Sequence, residues 1–191
     1  MDAREEGYAP AGGASSGMRV FGLAGWSGSG KTTLMVRLLR DLTARGLAVS
    51  TIKHAHHDFD IDKPGKDSYE HRAAGAHEVV VTSAKRWALL HELKDAPEPT
   101  LEELISRMAT VDLLLIEGFK RLGHDKIEVH RGTTSRPLLA AADARVVAVA
   151  SDVPLPDLEI PVLDLDDVGA ITDFIIDHCG LTCAGGEKGA A

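Results

Sequence analysis

The run Gly25-Trp26-Ser27-Gly28-Ser29-Gly30-Lys31-Thr32 constrains this chain more than any other feature. It fits G-x-x-x-x-G-K-[ST], and it lies between an apolar stretch at 18–24 and a helical pattern that puts Leu34, Leu38, Leu39 and Leu42 on one face. In that setting the glycines let the backbone curl until successive N–H groups converge on an anion. The first turn of the following helix adds about half a positive charge. Lys31 reaches β- and γ-phosphates as a point charge, and the Thr32 hydroxyl can ligate a Mg²⁺ that bridges the same oxygens. The cradle is read as Gly25, Trp26, Ser27, Gly28, Ser29, Gly30, Lys31, Thr32 and Thr33. Chance supplies such a match in roughly one chain in a hundred of this length, which leaves a ligand-free turn as the weaker reading.

Around this loop, short apolar runs alternate with helical patterns, the mark of an α/β protein of the P-loop NTPase kind: a three-layer sandwich with a mostly parallel sheet and helices on both faces. Strands are expected at 18–24, 47–53, 78–82, 87–91, 113–116, 126–130 and 146–150. Helices are expected at 68–76, 101–108 and 168–176, the first with Asp67 and Glu70 as a capping box. A length of 191 residues fits one domain, taken as 18–182, with a disordered tail at 1–17 and a flexible one at 183–191.

The net charge of -8 excludes a general nucleic-acid binder, which needs a basic surface to displace counterions. Any phosphate must be held locally. No apolar run approaches the roughly 20 residues that span a bilayer, and MDAREEGYAP lacks the basic-then-apolar order of a secretory signal. A cytoplasmic protein without a membrane partner is expected. Cys179 and Cys183, the only cysteines, form no disulfide framework.

A phosphate loop needs an acid at the end of a neighbouring strand to hold a magnesium-bound water. Val111-Asp112-Leu113-Leu114-Leu115-Ile116-Glu117-Gly118 offers two, about 16 Å apart at ~3.3 Å per strand residue, so only one can serve. Ligands sit at the carboxyl ends of parallel strands, which selects Glu117 and leaves Asp112 as a solvated strand start. The long segment His54–Ser68 leaves the carboxyl end of its own strand, placing it as a switch or substrate loop. There Asp58 joins Glu117 as a catalytic candidate, Asp60 and Asp62 are candidates for the metal or its waters, and Lys63 and Lys66 for a phosphorylated partner molecule. The same acids and lysines would also serve simply to keep a long loop soluble. His54, His56 and His57 suggest a transition-metal site of the kind used by metal-delivering GTPases, a reading ranked lower for want of a paired cysteine nearby. No N-K-x-D guanine motif occurs, so Asp152, just past the late strand, is the candidate to accept guanine N1–H and N2 hydrogens; a turn aspartate before Pro154 is its competing role.

In this order, GWSGSGKTT, KHAHHDFDIDKPGKDSYEHRAAGA, RWALLHE, LLLIEGFK and VVAVASDVPL resemble the MobB family of molybdopterin-guanine dinucleotide biosynthesis adaptors, over nearly all of 18–178. The KPGKDS and SDVPL stretches are more particular to that family than the phosphate loop is. The resemblance implies GTP with Mg²⁺, feeble intrinsic hydrolysis, a homodimer, and a guanylyltransferase partner that joins GMP to molybdopterin, with molybdopterin itself a further candidate ligand. Guided by it, Trp87–His91 and Lys126–His130 are read as exposed edge strands for dimer pairing. Arg72, Arg86 and Arg136 are the arginines to weigh as catalytic fingers. A small-molecule P-loop kinase is the remaining rival, but it calls for an arginine-rich lid that the sequence lacks. The N-terminal tail and the Cys179-Gly180-Leu181-Thr182-Cys183 ending depart from the family pattern. With His178 these cysteines suggest a metal only weakly.

Overall fold

Leu113-Leu114-Leu115-Ile116 has no polar face, and a strand of that kind is stable only with both sides covered. The fold supplies that cover. The structure, a computed structural model, describes residues 17–55, 59–118 and 123–183. In chain order its elements are β1 (Arg19–Ala24), α1 (Lys31–Ala44), β2 (Val49–Lys53), α2 (Asp67–Ala73), β3 (Glu78–Thr82), β4 (Trp87–His91), α3 (Leu101–Ser106), β5 (Leu113–Glu117), β6 (Lys126–His130), a 3₁₀ turn (Leu139–Ala141), β7 (Val146–Ser151), β8 (Val162–Asp164) and α4 (Val168–Cys179). They group into two compact units, one within 55–108 and one joining the residues before 55 to those after 108, where the sequence suggests a single unit.

The larger unit is built on a six-stranded sheet in the order β2-β5-β1-β6-β7-β8, with every pairing parallel. Phe21 and Leu23 of β1, Leu113 and Leu115 of β5, Ile127 and Val129 of β6, and Ala148 and Ala150 of β7 meet Leu34, Leu38 and Leu42 of α1 and Ile171 and Ile175 of α4 in one core. Leu38 is wholly buried, a burial that contributes roughly 1.5–3 kcal/mol. Because β1 lies between β5 and β6, the loop that follows it leaves the sheet where the chain switches sides, the position where open α/β sheets bind ligands.

β6 corrects the expectation of an exposed edge strand. Lys126, Ile127, Glu128, Val129 and His130 are all buried, with β1 on one side and β7 on the other. The alternation of charged and apolar residues has another cause. Lys126 Nζ pairs with Asp143 at 2.8 Å, and the Glu128 carboxylate accepts the amides of Leu139 (2.9 Å) and Ala140 (3.0 Å), so the segment over 139–143 covers the polar face with matched partners. β8, three residues with little burial, gives no periodic signal and was not expected.

In the smaller unit, β3 and β4 form an antiparallel ribbon that sets Val80 opposite Leu89 and Thr82 opposite Trp87. Val80, Trp87 and Leu89 are 61%, 60% and 41% exposed on one face of it. α2 starts one residue before the expectation and ends earlier: Lys66 is its N-cap, without a side-chain cap, so the Asp67 and Glu70 box does not form. The Ser68 hydroxyl donates instead to Asp62 Oδ1, and Gly75, at φ +105°, turns the chain away after Ala74. A true capping box sits at α3, where Thr100 and Glu103 satisfy each other's amides.

His124 precedes β6 with its ring against Gly22, where any side chain would come within 2.5 Å of Nε2. Both ring nitrogens are buried without hydrogen-bond partners among the described residues. Burial, then the Lys126 charge, hold its pKa below the ordinary 6.5, against the opposing pull of Asp143 and Asp125. The unfolded chain therefore takes up a proton that the folded one resists, and stability falls as pH drops from 6.5 toward the lowered value. Thermal melts of His124→Gln are expected to lose less stability than the parent between about pH 6.5 and 5; parallel losses would refute the assignment.

Candidate functional site

The loop between β1 and α1 is fixed by three glycines at positive φ: Gly25 (+142°), Gly28 (+80°) and Gly30 (+94°). At Gly25 a Cβ would lie 2.5 Å from the Val129 carbonyl oxygen and 2.8 Å from Ser29 Oγ, so strand β6 and the loop touch through bare backbone. Gly30 is the N-cap of α1 and brings no side-chain cap, which leaves the first-turn amides for an anion. Ser29 is 5% exposed and its Oγ has no partner among the described residues. Lys31 folds back so that Nζ donates to the Trp26 carbonyl at 2.8 Å. A bare-backbone cradle, an uncapped helix start and an orphaned buried hydroxyl fit a polyphosphate.

Beside the cradle, the Thr32 hydroxyl donates to Glu117 Oε1 at 2.7 Å, and Glu117 is 8% exposed at the carboxyl end of β5. The sequence expectation that Glu117 and not Asp112 reaches this point agrees with the geometry, for Asp112 spends Oδ2 on the Ala48 amide at 2.7 Å, ahead of β5. Hydroxyl and carboxylate form a hard oxygen pair suited to Mg²⁺ and its waters. Lys53 Nζ lies 3.6 Å from Glu117 Oε1, a neighbour that sequence reasoning missed. Strand ends could have revealed it, since Lys53 and Glu117 are register partners in the parallel pair of β2 and β5.

Asp152 follows β7 and lines a cavity of about 280 Å³ with Ser151, Val153, Pro154, Val162, Leu163 and Asp164. Its Oδ1 accepts the Gly132 amide at 2.8 Å and its Oδ2 the Arg131 guanidinium at 3.2 Å. The Gly132 bond first, then Arg131, lower its pKa below the usual aspartate value. Trp26 donates Nε1–H to the Pro137 carbonyl at 2.8 Å, and the Arg136 guanidinium lies 5.2 Å from the centre of its ring.

In the smaller unit, Asp60 and Asp62 are occupied. Arg72 bonds both oxygens of Asp60 (2.8 and 3.0 Å), lies 3.6 Å from Asp62 Oδ2, and also holds Glu92 at 2.8 Å. The Asp62 amide first, then Arg72, depress the pKa of Asp60, while Glu92 above all raises that of Arg72. These contacts tie Asp60, Asp62 and Arg72, expected from sequence as metal ligands and a finger, to one another within the loop. Lys63, Lys66 and Arg86 are exposed. Asp58, His56 and His57 lie outside the described residues. Among the described residues no three His, Cys, Asp or Glu side chains converge as a metal-ligand set. Cys179 is buried, which pushes its thiol up to about 11, and His178 is held by Asp125 at 3.0 Å.

A parallel sheet whose central strand feeds a glycine-curled loop and a helix, with a buried acid on the adjoining strand, defines the α/β P-loop NTPase fold. Residues 20–152 match the family described as Molybdopterin guanine dinucleotide synthesis protein B, MobB. The chain is 50% identical over 157 residues to the molybdopterin-guanine dinucleotide biosynthesis adapter protein of Escherichia coli (strain K12), spanning 81% of this chain and 89% of that protein. It is 39% identical over 159 residues to the adapter protein of the same description from Haemophilus influenzae, spanning 82% and 86%. The crystal structure of Bacillus subtilis MobB superposes with a TM-score of 0.69 at 26% identity, over 88% of this chain and 99% of that one. The chain belongs to the MobB family.

Gly25→Ala adds a methyl 2.5 Å from a carbonyl oxygen at a backbone angle that L side chains rarely adopt. Denaturant unfolding is expected to show a loss of at least about 1–3 kcal/mol; an unchanged midpoint would contradict the close approach of β6.

Proposed function

We propose that this chain is a GTP-binding adapter with feeble hydrolysis that assists a guanylyltransferase in converting molybdopterin to its guanine dinucleotide form. The observation that carries the reading is the Thr32–Glu117 contact of 2.7 Å beside an uncapped, glycine-curled loop. The relatives, adapter proteins of molybdopterin-guanine dinucleotide biosynthesis, supply the pathway.

In this reading the amides of 25–33 and Lys31 grip the phosphates, and Thr32 and Glu117 would hold Mg²⁺, which would supply positive charge to the bound polyphosphate. The cavity between the ends of β7 and β8, lined by Pro154, Val162 and Asp164 among others, receives the base. Exposed Lys63 and Lys66 are the groups for a phosphorylated partner such as molybdopterin. Of the described arginines beside the loop, Arg136 lies over Trp26 and Arg131 is anchored by Asp152, and neither borders the Thr32–Glu117 pair, while Arg37 and Arg45 pair with acids away from the loop. Unassisted turnover near 10⁻⁴–10⁻² s⁻¹ is therefore expected, roughly. No helix among the described residues is long and apolar enough to cross a membrane, in keeping with work in the cytoplasm. The exposed Val80, Trp87 and Leu89 face of the β3–β4 ribbon supports the homodimer, a second copy covering apolar surface that the unit itself leaves open.

Calorimetry with GTP and ATP, each with and without Mg²⁺, tests the reading. GTP is expected to bind more tightly than ATP and to need Mg²⁺ for full affinity. Lys31→Ala is expected to weaken GTP by roughly tenfold to a hundredfold, the worth of a charge-assisted contact. Indifference of the parent protein to purine triphosphates, or turnover of many per second without a partner, would overturn it. In sedimentation, Leu89→Lys is expected to shift the protein toward monomer; an unaltered dimer would place the interface elsewhere.

A further inference from the structure

The segment that leaves β6 runs along the phosphate loop and touches it at both ends. At one end Trp26 meets Arg136 and Pro137. At the other, Arg131 lies against Gly30: a methyl built there would be 3.4 Å from Arg131 Nη2 and 3.5 Å from Nε. Gly30 immediately precedes Lys31, so this guanidinium borders the same cradle that Lys31 serves. Its Nη1 is anchored by Asp152 at 3.2 Å, while Nε and Nη2 have no partner among the described residues.

The anchor is itself held: Asp152 Oδ1 takes the Gly132 amide, and residues 131–132 lie close against 152–153, where a Cβ at Gly132 would be 2.5 Å from Val153 Cγ1. Tying down a guanidinium this way lowers the entropy lost when it grips a ligand, and its planar fork suits phosphate oxygens.

We propose that Arg131 is a second cation of the cradle, binding the phosphate chain of the nucleotide, and that Asp152 is its positioning residue and not a reader of the base. The proposal rests on the nucleotide-binding reading above and adds to it a residue outside the loop motif. It also fits weak hydrolysis, since Arg131 borders Gly30 and not the Thr32–Glu117 pair.

Calorimetry on the full chain with GTP, ATP and inorganic tripolyphosphate, beside thermal melts of the ligand-free protein, separates the outcomes. Arg131→Ala is expected to weaken both ligands by roughly tenfold to a hundredfold with the melting temperature unchanged, and Arg131→Lys to recover part of the loss. Asp152→Asn keeps an oxygen for the Gly132 amide but loses the charge, so it should weaken GTP and ATP by the same factor. Parent-like affinity in Arg131→Ala, or an Asp152→Asn variant that abolishes only the preference for GTP over ATP, overturns the proposal while the nucleotide-binding reading stands. Arg131-dependent binding of tripolyphosphate without binding of GTP upholds Arg131 and removes the GTP reading. Binding of neither ligand overturns both.

Discussion

Everything at this site depends on a run of backbone that no ordinary residue could follow. Gly25, Gly28 and Gly30 all stand at positive φ, and the first of them lets the loop touch the Val129 carbonyl of β6. That contact couples the loop to a strand buried from end to end, so the amides are held in place before any ligand arrives. Anion binding of this kind gains from preorganised dipoles, whose orientation costs nothing at the moment of binding. Thr32, at the start of α1, meets Glu117 because β1 and β5 run side by side and in parallel. The hydroxyl and the acid are far apart in sequence and arrive together only through the sheet.

Much of this was legible beforehand. The loop motif, its strand and helix, the choice of Glu117 over Asp112, and the parallel α/β class follow from spacing, because glycine conformations and strand ends are local properties that leave local traces. β6 misled for an instructive reason. The edge-strand reading comes from the family likeness, and the charges of Lys126 and Glu128 do not speak against it, yet Asp143 and the amides of 139 and 140 take up those two charges inside the fold. Pattern records polarity, not partners. A buried charge with a matched partner looks in sequence the same as an exposed one.

The loop after β2 holds a partner that its sequence does not show: Arg72, in α2, bonds Asp60 and lies 3.6 Å from Asp62 Oδ2. Arg131 was overlooked because it belongs to no motif, and Lys53 because the stretch that it opens does not say what the lysine faces. Each is a lone cation at a strand end, and only the pairing order of the sheet shows which strand ends are neighbours. What sequence conveys best here is the part of the site built from main chain, and what it conveys least is the part assembled from side chains across different loops.

The chain carries two tryptophans, and the structure sets them in different units: Trp26 within the glycine loop, Trp87 on the exposed ribbon. Indole emission responds to the polarity and charge around the ring, and Trp26 has a guanidinium 5.2 Å from its ring centre. With Trp87 changed to phenylalanine, the protein becomes its own optical sensor of the loop. With Trp26 changed instead, the remaining signal watches only the ribbon. Events at the loop and events at the ribbon can thus be followed in two single-tryptophan variants, without attaching a dye.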